Sequence, residues 1–202
     1  MTSTTVFEKT GIIILAAGGS TRLGSPKQLL KDKAGISLIR RTNTIAHAIS
    51  CNTIINILGA NYVLIRNEIT DFNSPILIND HWESGIASSI VLAVKTVCQD
   101  YPQIEALLFL VCDQPFVNKQ SIESIILQYS KTGKPIVASH YQNILGTPAL
   151  FHRSYFQELM QLKGDRGAGK VIQNHMEDVS IVEFSAGIFD IDTMKDYELF
   201  IK

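Results

Sequence analysis

The chain has 202 residues, 46% hydrophobic and 18% charged, with a formal net charge of -1, a composition that suits a globular domain with a continuous core rather than the disordered or membrane classes. The near-neutral balance also excludes a broad basic surface, so neither nucleic acid nor an anionic membrane is an expected partner. Cys51, Cys98 and Cys112 are odd in number and far apart, which offers neither a disulfide framework nor a zinc spacing; the polar start MTSTTVFEKTG and the short apolar run from Ile12 to Ala17 fit no signal segment, and cytoplasmic residence is the expectation.

Short β-branched or aliphatic runs predict strands at Ile12 to Leu15, Thr53 to Leu58, Pro75 to Ile78, Ala106 to Val111, Pro135 to Ser139 and Val179 to Phe184. Between them lie segments with helical spacing: Leu38, Ile39, Thr42, Ile45, Ala46 and Ile49, then Ile90, Val91, Val94 and Val97, then Ile122, Ile125 and Ile126. No long-period repeat or linker interrupts them, so one domain over residues 1–202 is expected. Strands apolar throughout, alternating with helices, predict an α/β fold: a three-layer α/β/α sandwich on a mainly parallel, Rossmann-like sheet. Ligands of such sheets bind beyond the carboxyl ends of the strands, so residues just after each apolar run are the candidates for function.

The first run leads into LAAGGSTRLGSPKQLL, Leu15 to Leu30. Leu15, Ala16, Ala17, Gly18, Gly19 and Ser20 lack bulk, so backbone N–H groups can approach an anion closely, while Arg22 and Lys27 add full positive charge. Gly19 and Gly24 make a GxxxxG spacing, but Ser25 and Pro26 come next where a Walker loop needs Lys and Ser or Thr. No GxGxxG is present either, so the dehydrogenase-type dinucleotide loop is disfavoured.

The most apolar run, Ala106 to Cys112, ends at Asp113. A strand-end carboxylate serves as a turn or cap residue, or as one of the hard oxygen ligands that Mg²⁺ takes together with phosphates and water, provided a second carboxylate converges on it. Asp190 and Asp192, in Phe189 to Thr193, are the candidates; Asp192 also suits an N-cap ahead of Met194 to Ile201.

The segment Asn79 to Ser89 comes after the third strand, and Ser88 and Ser89 there either donate to a base edge or cap a helix, with Trp82 as a core or pocket residue. Gly146 to Phe151 is strand or loop material, and the basic, glycine-rich run Lys163 to Lys170 suits either a tight connection or an acceptor phosphate. His47, His81, His140, His152 and His175 have no metal-binding spacing.

The loop closely resembles the signature LAAGxSxRMGxxKxLL of the molybdenum-cofactor nucleotidyltransferases, with Leu23 for Met, and CDQP, DIDT, GTPALF and GDRGA resemble further motifs in the family's order. The resemblance implies a nucleotide-diphospho-sugar transferase type of fold. It implies that Arg22, Lys27 and Asp113 are catalytic, that Leu15 to Ser20, Lys27, Asn79, Gly85 and Ser89 bind the nucleotide, and that Asp113 and Asp192, the latter ahead of Asp190, hold Mg²⁺. Gly169 stands where the family commonly has Arg, which leaves any contact of that arginine open. Ala17 in LAAG points within the family to CTP, so the implied reaction is transfer of CMP from CTP to the terminal phosphate of molybdopterin with release of pyrophosphate. A molybdoenzyme or cofactor-delivery partner goes with it. The alternatives are GTP or another triphosphate with a sugar phosphate, phospholactate or methylerythritol phosphate acceptor, and a non-catalytic cofactor-binding protein.

Overall fold

The computed structural model describes residues 3–21 and 23–202, with side chains from Thr5 onward. In chain order the elements are α1 (Ser3–Glu8), β1 (Thr10–Ala16), α2 (Leu38–His47), β2 (Thr53–Leu58), α3 (Tyr62–Asn67), β3 (Ile76–Ile78), α4 (Ile86–Asp100), β4 (Ala106–Val111), α5 (Lys119–Thr132), β5 (Ile136–Tyr141), β6 (Ile144–His152), α6 (Phe156–Leu159), α7 (Gly169–Asn174), β7 (Val179–Glu183) and α8 (Met194–Phe200). Every expected strand and helix appears, with ends shifted by a few residues.

The strands form one sheet in the order β3-β2-β1-β4-β6-β5-β7. β1 pairs in parallel with both β2 and β4, β2 with β3, and β5 with β7. Residues 146–151, which sequence alone left between strand and loop, belong to β6, the antiparallel member, paired with β4 on one side and β5 on the other. The β5–β6 connection is a two-residue hairpin turn, Gln142 and Asn143, with Gln142 at φ 53°, a turn chemistry weaker than the Asn-Gly signal that marks hairpins in a sequence.

Alternating residues of β1 face opposite cores. Ile12, Ile14 and Ala16 pack with Ile39 and Ala46 of α2, Ile65 of α3 and Ile122, Ile125 and Ile126 of α5. Ile13 and Leu15 pack with Ile90, Ala93, Val94 and Val97 of α4 and with residues of α6 and α7. Both faces are therefore covered, which is why the strands read as continuous apolar runs rather than alternating ones. α2 starts at Ser37, whose hydroxyl accepts from the Arg40 N–H at 3.4 Å, and α5 is closed by an Asn118–Ser121 capping box and by Gly133 at φ 64°. A third, smaller cluster joins Leu23 of the glycine-rich loop to Leu38 and Ile191, with Phe189, Tyr197 and Phe200 against it. It fastens the C-terminal segment beside the loop. Among the described residues no helix is long and apolar enough to cross a membrane.

Candidate nucleotide and metal site

β1 lies between β2 and β4, so the connections leaving the carboxyl ends of β1 and β4 diverge and leave a crevice there. A cleft of about 360 Å³ opens at that point, lined by Leu15, Ala16, Ala17, Gly18, Gly19 and Ser20 along one wall, by Lys27 and Asp113 at one end, and by Gly85 and Ser89 on the facing wall. Ten of the expected nucleotide or catalytic positions thus share one surface. Arg22 lies outside the described residues.

The loop is held by a residue that sequence reasoning passed over. Gln28, 2% exposed, donates from Nε2 to the carbonyls of Ala16 and Gly18 at 3.0 and 2.9 Å. A buried amide that satisfies two carbonyls at the end of β1 fixes the backbone where the loop leaves the strand. Ser20 adds a second tie, since its Oγ accepts from the Lys27 N–H at 3.0 Å. Gly19 lies under Trp82, where a Cβ would come within 2.8 Å of the indole ring. Trp82 lines the cleft, so it is a wall of the site and not buried core. The signal for Gln28 was present as one polar residue ahead of two leucines, but nothing local told which carbonyls it would reach.

Lys27 bridges two carboxylates from distant parts of the chain, with Nζ 2.5 Å from Asp113 Oδ2 and 3.1 Å from Asp192 Oδ1. Desolvation opposes the Lys27 charge, but Asp113 and Asp192 outweigh it and raise its pKa above the ordinary lysine value. The ammonium is therefore fully charged at neutral pH. Asp113 leaves β4 at the cleft floor, and Asp192 arrives through Ile191, which is fully buried and donates its N–H to the Asp113 carbonyl at 2.9 Å. Capping is not the role of Asp192: the N-cap of α8 is Thr193, which forms the capping box with Asp196. The Asp190 carboxyl, on a residue exposed overall, is pushed up to about 6, first by the protein crowded around the carboxyl and then by the charges of Asp113 and Asp192.

Asn79 is placed differently. Its amide donates to Ser88 and Ser89 hydroxyl oxygens at 2.7 and 2.9 Å, and its Oδ1 accepts from the His81 N–H. It lines a neighbouring cleft of about 390 Å³ on the far side of Trp82 and positions Ser89 from behind. Ser88 donates back to the Gly85 carbonyl at 2.8 Å. Gly85, at φ 97°, starts α4 in a conformation that L side chains rarely adopt. The run 163–167 folds over it: the Ala87 N–H donates to the Gly164 carbonyl at 3.1 Å, and Asp165 lines the cleft. Cys112 also reaches the cleft, but burial, then the Asp113 charge, push its thiol up to about 12, so it is no nucleophile at neutral pH.

A small-residue loop at the end of β1, a charged lysine and two converging carboxylates sit in the crevice of a mainly parallel sheet of the nucleotide-diphospho-sugar transferase fold. Residues 12–179 match the MobA-like NTP transferase domain. The chain belongs to that family and is a nucleotidyltransferase. Among solved structures it is similar to a homologue of Mycobacterium tuberculosis Rv0371c from Mycobacterium sp. strain JC1, with 27% identity over 96% of each chain and a TM-score of 0.80. It is similar to Rv0371c of Mycobacterium tuberculosis H37Rv in complex with manganese, with 22% identity over 96% of this chain and 97% of that one and a TM-score of 0.77. A CMP:2-keto-3-deoxy-manno-octonic acid synthetase complexed with CTP shares the fold at 15% identity over 95% of this chain and 96% of that one, with a TM-score of 0.70. No curated protein sequence matches the chain.

Proposed function

We propose that the protein transfers CMP from CTP to the terminal phosphate of a molybdopterin-type acceptor and releases pyrophosphate. The observation that carries this reading is the Lys27 bridge between Asp113 and Asp192 at the mouth of the glycine-rich loop. In this reading loop amides from Leu15 to Ser20 hold the triphosphate, Lys27 and Arg22 offset the charge that moves to the leaving pyrophosphate, and Gly85 and Ser89 face the base. The acceptor phosphate is already ionised, so it attacks the α-phosphorus in line without a general base, and pyrophosphate carries the displaced electron pair away. The choice of CTP rests on Ala17 in the LAAG sequence, and the acceptor on the family resemblance.

Two hard carboxylate oxygens held together by one ammonium offer ligands for a cation once Lys27 turns from them to the phosphates, and Mg²⁺ takes one or two such ligands from protein while keeping phosphate and water. Asp113 and Asp192 would hold it. Among the described residues no group of three or more acidic, histidine or cysteine side chains gathers, so the other ligands in this proposal are substrate oxygens and water. Bound there, the ion supplies Lewis-acid stabilisation of phosphate charge. The manganese complex of the mycobacterial relative supports a divalent cation in this fold.

The test is pyrophosphate release measured with CTP, GTP, UTP and ATP, with and without Mg²⁺, against molybdopterin, sugar phosphates, phospholactate and methylerythritol phosphate. Turnover with CTP and molybdopterin alone is expected. A different productive pair replaces the substrate assignment, and no turnover with any pair overturns the catalytic one.

A further inference from the structure

The cleft has two chemically opposite ends. At one, the Lys27 ammonium donates to Asp113 and the Lys27 backbone N–H donates to the Ser20 hydroxyl. At the other, Gly85 and Ser89 meet a second carboxylate, that of Asp165, which enters from the run 163–167. The contact is close: a Cβ on Gly85 would lie 2.4 Å from the Gly164 carbonyl oxygen and 2.7 Å from Asp165 Oδ1. The Ala87 N–H donates to the Gly164 carbonyl at 3.1 Å, which ties the run to the first turn of α4. Asp165 has no hydrogen-bond or ion-pair partner among the described residues, so its carboxylate oxygens remain available as acceptors.

A carboxylate inside a triphosphate cleft repels phosphate unless a cation offsets it. Asp113 is offset by the Lys27 ammonium, whereas Asp165 has no cation within ion-pair distance among the described residues, so the phosphates go to the Lys27 end and Asp165 faces the part of the nucleotide that is neutral and carries hydrogen-bond donors. One turn along α4 from Gly85, Ser89, 3% exposed, lines the same cleft and accepts from the Asn79 amide. Its own hydroxyl hydrogen, with no acceptor among the described residues, is free to point into the cleft. An acceptor and a donor on one cleft surface suit an exocyclic amine with a bare ring nitrogen next to it. Cytosine presents that pair; uracil presents a carbonyl next to an N–H, the reverse pattern.

We infer that Asp165 reads the exocyclic amine of the nucleobase, and so rejects uridine nucleotides. The inference rests on the proposed nucleotidyl transfer and adds the residue that sets base choice. Asp165 is assigned this role ahead of Glu83, which also lines the cleft, because its side chain is shorter and its backbone is pinned by Gly164 against Gly85. A site built to hydrogen-bond a substrate group strongly rejects the analogue that lacks it, because its polar atoms are then left unpaired.

The experiment is calorimetric titration of CTP and UTP into the full chain with Mg²⁺ and no acceptor, so it does not depend on the acceptor being right. Wild type is expected to bind CTP at least about tenfold tighter than UTP. Asp165→Asn, whose amide offers a donor to the uracil carbonyl, is expected to bring the two within about threefold, chiefly by a gain for UTP; Asp165→Ala is expected to weaken CTP without helping UTP. Ligand-free melting close to wild type checks that each variant is folded. An unchanged CTP to UTP ratio in Asp165→Asn overturns the inference, as does collapse of the ratio in Glu83→Gln instead, or a wild type that binds both alike. If wild type prefers GTP, the proposed base falls while the amine reading is measured on GTP against ITP, which lacks the amine. Asp165→Asn must then shrink that ratio, and an unchanged one overturns it.

Discussion

The N–H of Ile191 donates to the carbonyl oxygen of Asp113 at 2.9 Å. This bond lies between segments almost eighty residues apart in sequence, and it sets the Asp192 carboxylate one residue beyond a fixed point on the β4 end. Lys27 then meets both carboxylates without either aspartate having a long side chain to adjust.

Asp113→Asn removes one charge from the pair but keeps the side chain's shape. Pyrophosphate release is expected to fall by at least about 10²-fold, the size of effect found when one preorganised electrostatic group is removed, with melting near wild type. Lys27→Met is expected to abolish turnover as well and to cost stability, because it leaves Asp113 and Asp192 facing each other. All three side chains are partly exposed, 20%, 20% and 34% for Lys27, Asp113 and Asp192, so solvent screening holds the stability loss to about 1 kcal/mol. Denaturant unfolding and a coupled pyrophosphate assay on each variant measure the two effects separately. Turnover within a few-fold of wild type in either variant removes that residue from the chemistry.

Gln28→Ala deletes the amide that satisfies the Ala16 and Gly18 carbonyls. The Ala16 carbonyl, in a buried bond, and the Gly18 carbonyl, in a partly buried one, lose their donor, so stability is expected to drop by about 1–3 kcal/mol, and the loop loses its clamp. Nucleotide affinity, read by titration, should weaken markedly. Unchanged affinity would show that the loop is oriented without this clamp.

Gly85→Ala places a methyl 2.4 Å from the Gly164 backbone on a residue at φ 97°. The backbone strain alone costs ~1–3 kcal/mol, and the run 163–167 has to move away. Both the unfolding midpoint and the affinity for nucleotide are expected to fall. A variant as stable as wild type would contradict the contact.

Ile191→Ala empties a fully buried position in the cluster with Leu23 and Leu38. It is expected to cost about 2–5 kcal/mol, whereas Ile191→Val costs about 0.5–1.5 kcal/mol. At temperatures where the alanine variant is still folded, turnover should fall more than nucleotide affinity, because Asp192 and not the phosphate loop loses its anchor. Equal losses in both measurements would place the effect in general destabilisation.

Chelation gives an independent check on the carboxylate pair. Excess EDTA is expected to stop turnover, and added Mg²⁺ to restore it, in wild type. Activity that survives exhaustive chelation would remove the metal from the proposal.

What the amino-acid order determined by itself was local and periodic. Continuous apolar runs marked strands covered on both faces, helical spacing marked the layers that cover them, and the density of small residues with Lys27 after the first run marked the candidate anion loop. Asp113 was legible for the same reason, since it is the first charged residue after the most apolar strand. The tertiary structure decided what depends on contacts between distant segments. It showed β6 to be antiparallel, because a short hairpin turn and not its composition reverses the chain. It turned Asn79 toward Ser88 and Ser89 and away from the cleft that Leu15 to Ser20 line, and it gave the cap of α8 to Thr193 with Asp196. Gln28, which looked like one polar residue in a leucine-rich stretch, became the clamp of the loop because the carbonyls of Ala16 and Gly18 lie within its reach. Asp165 became a cleft residue only because Gly85 has no side chain to keep the run 163–167 away. Periodicity reports which face a residue occupies, whereas a hydrogen-bond partner some eighty residues distant is set by how the layers pack.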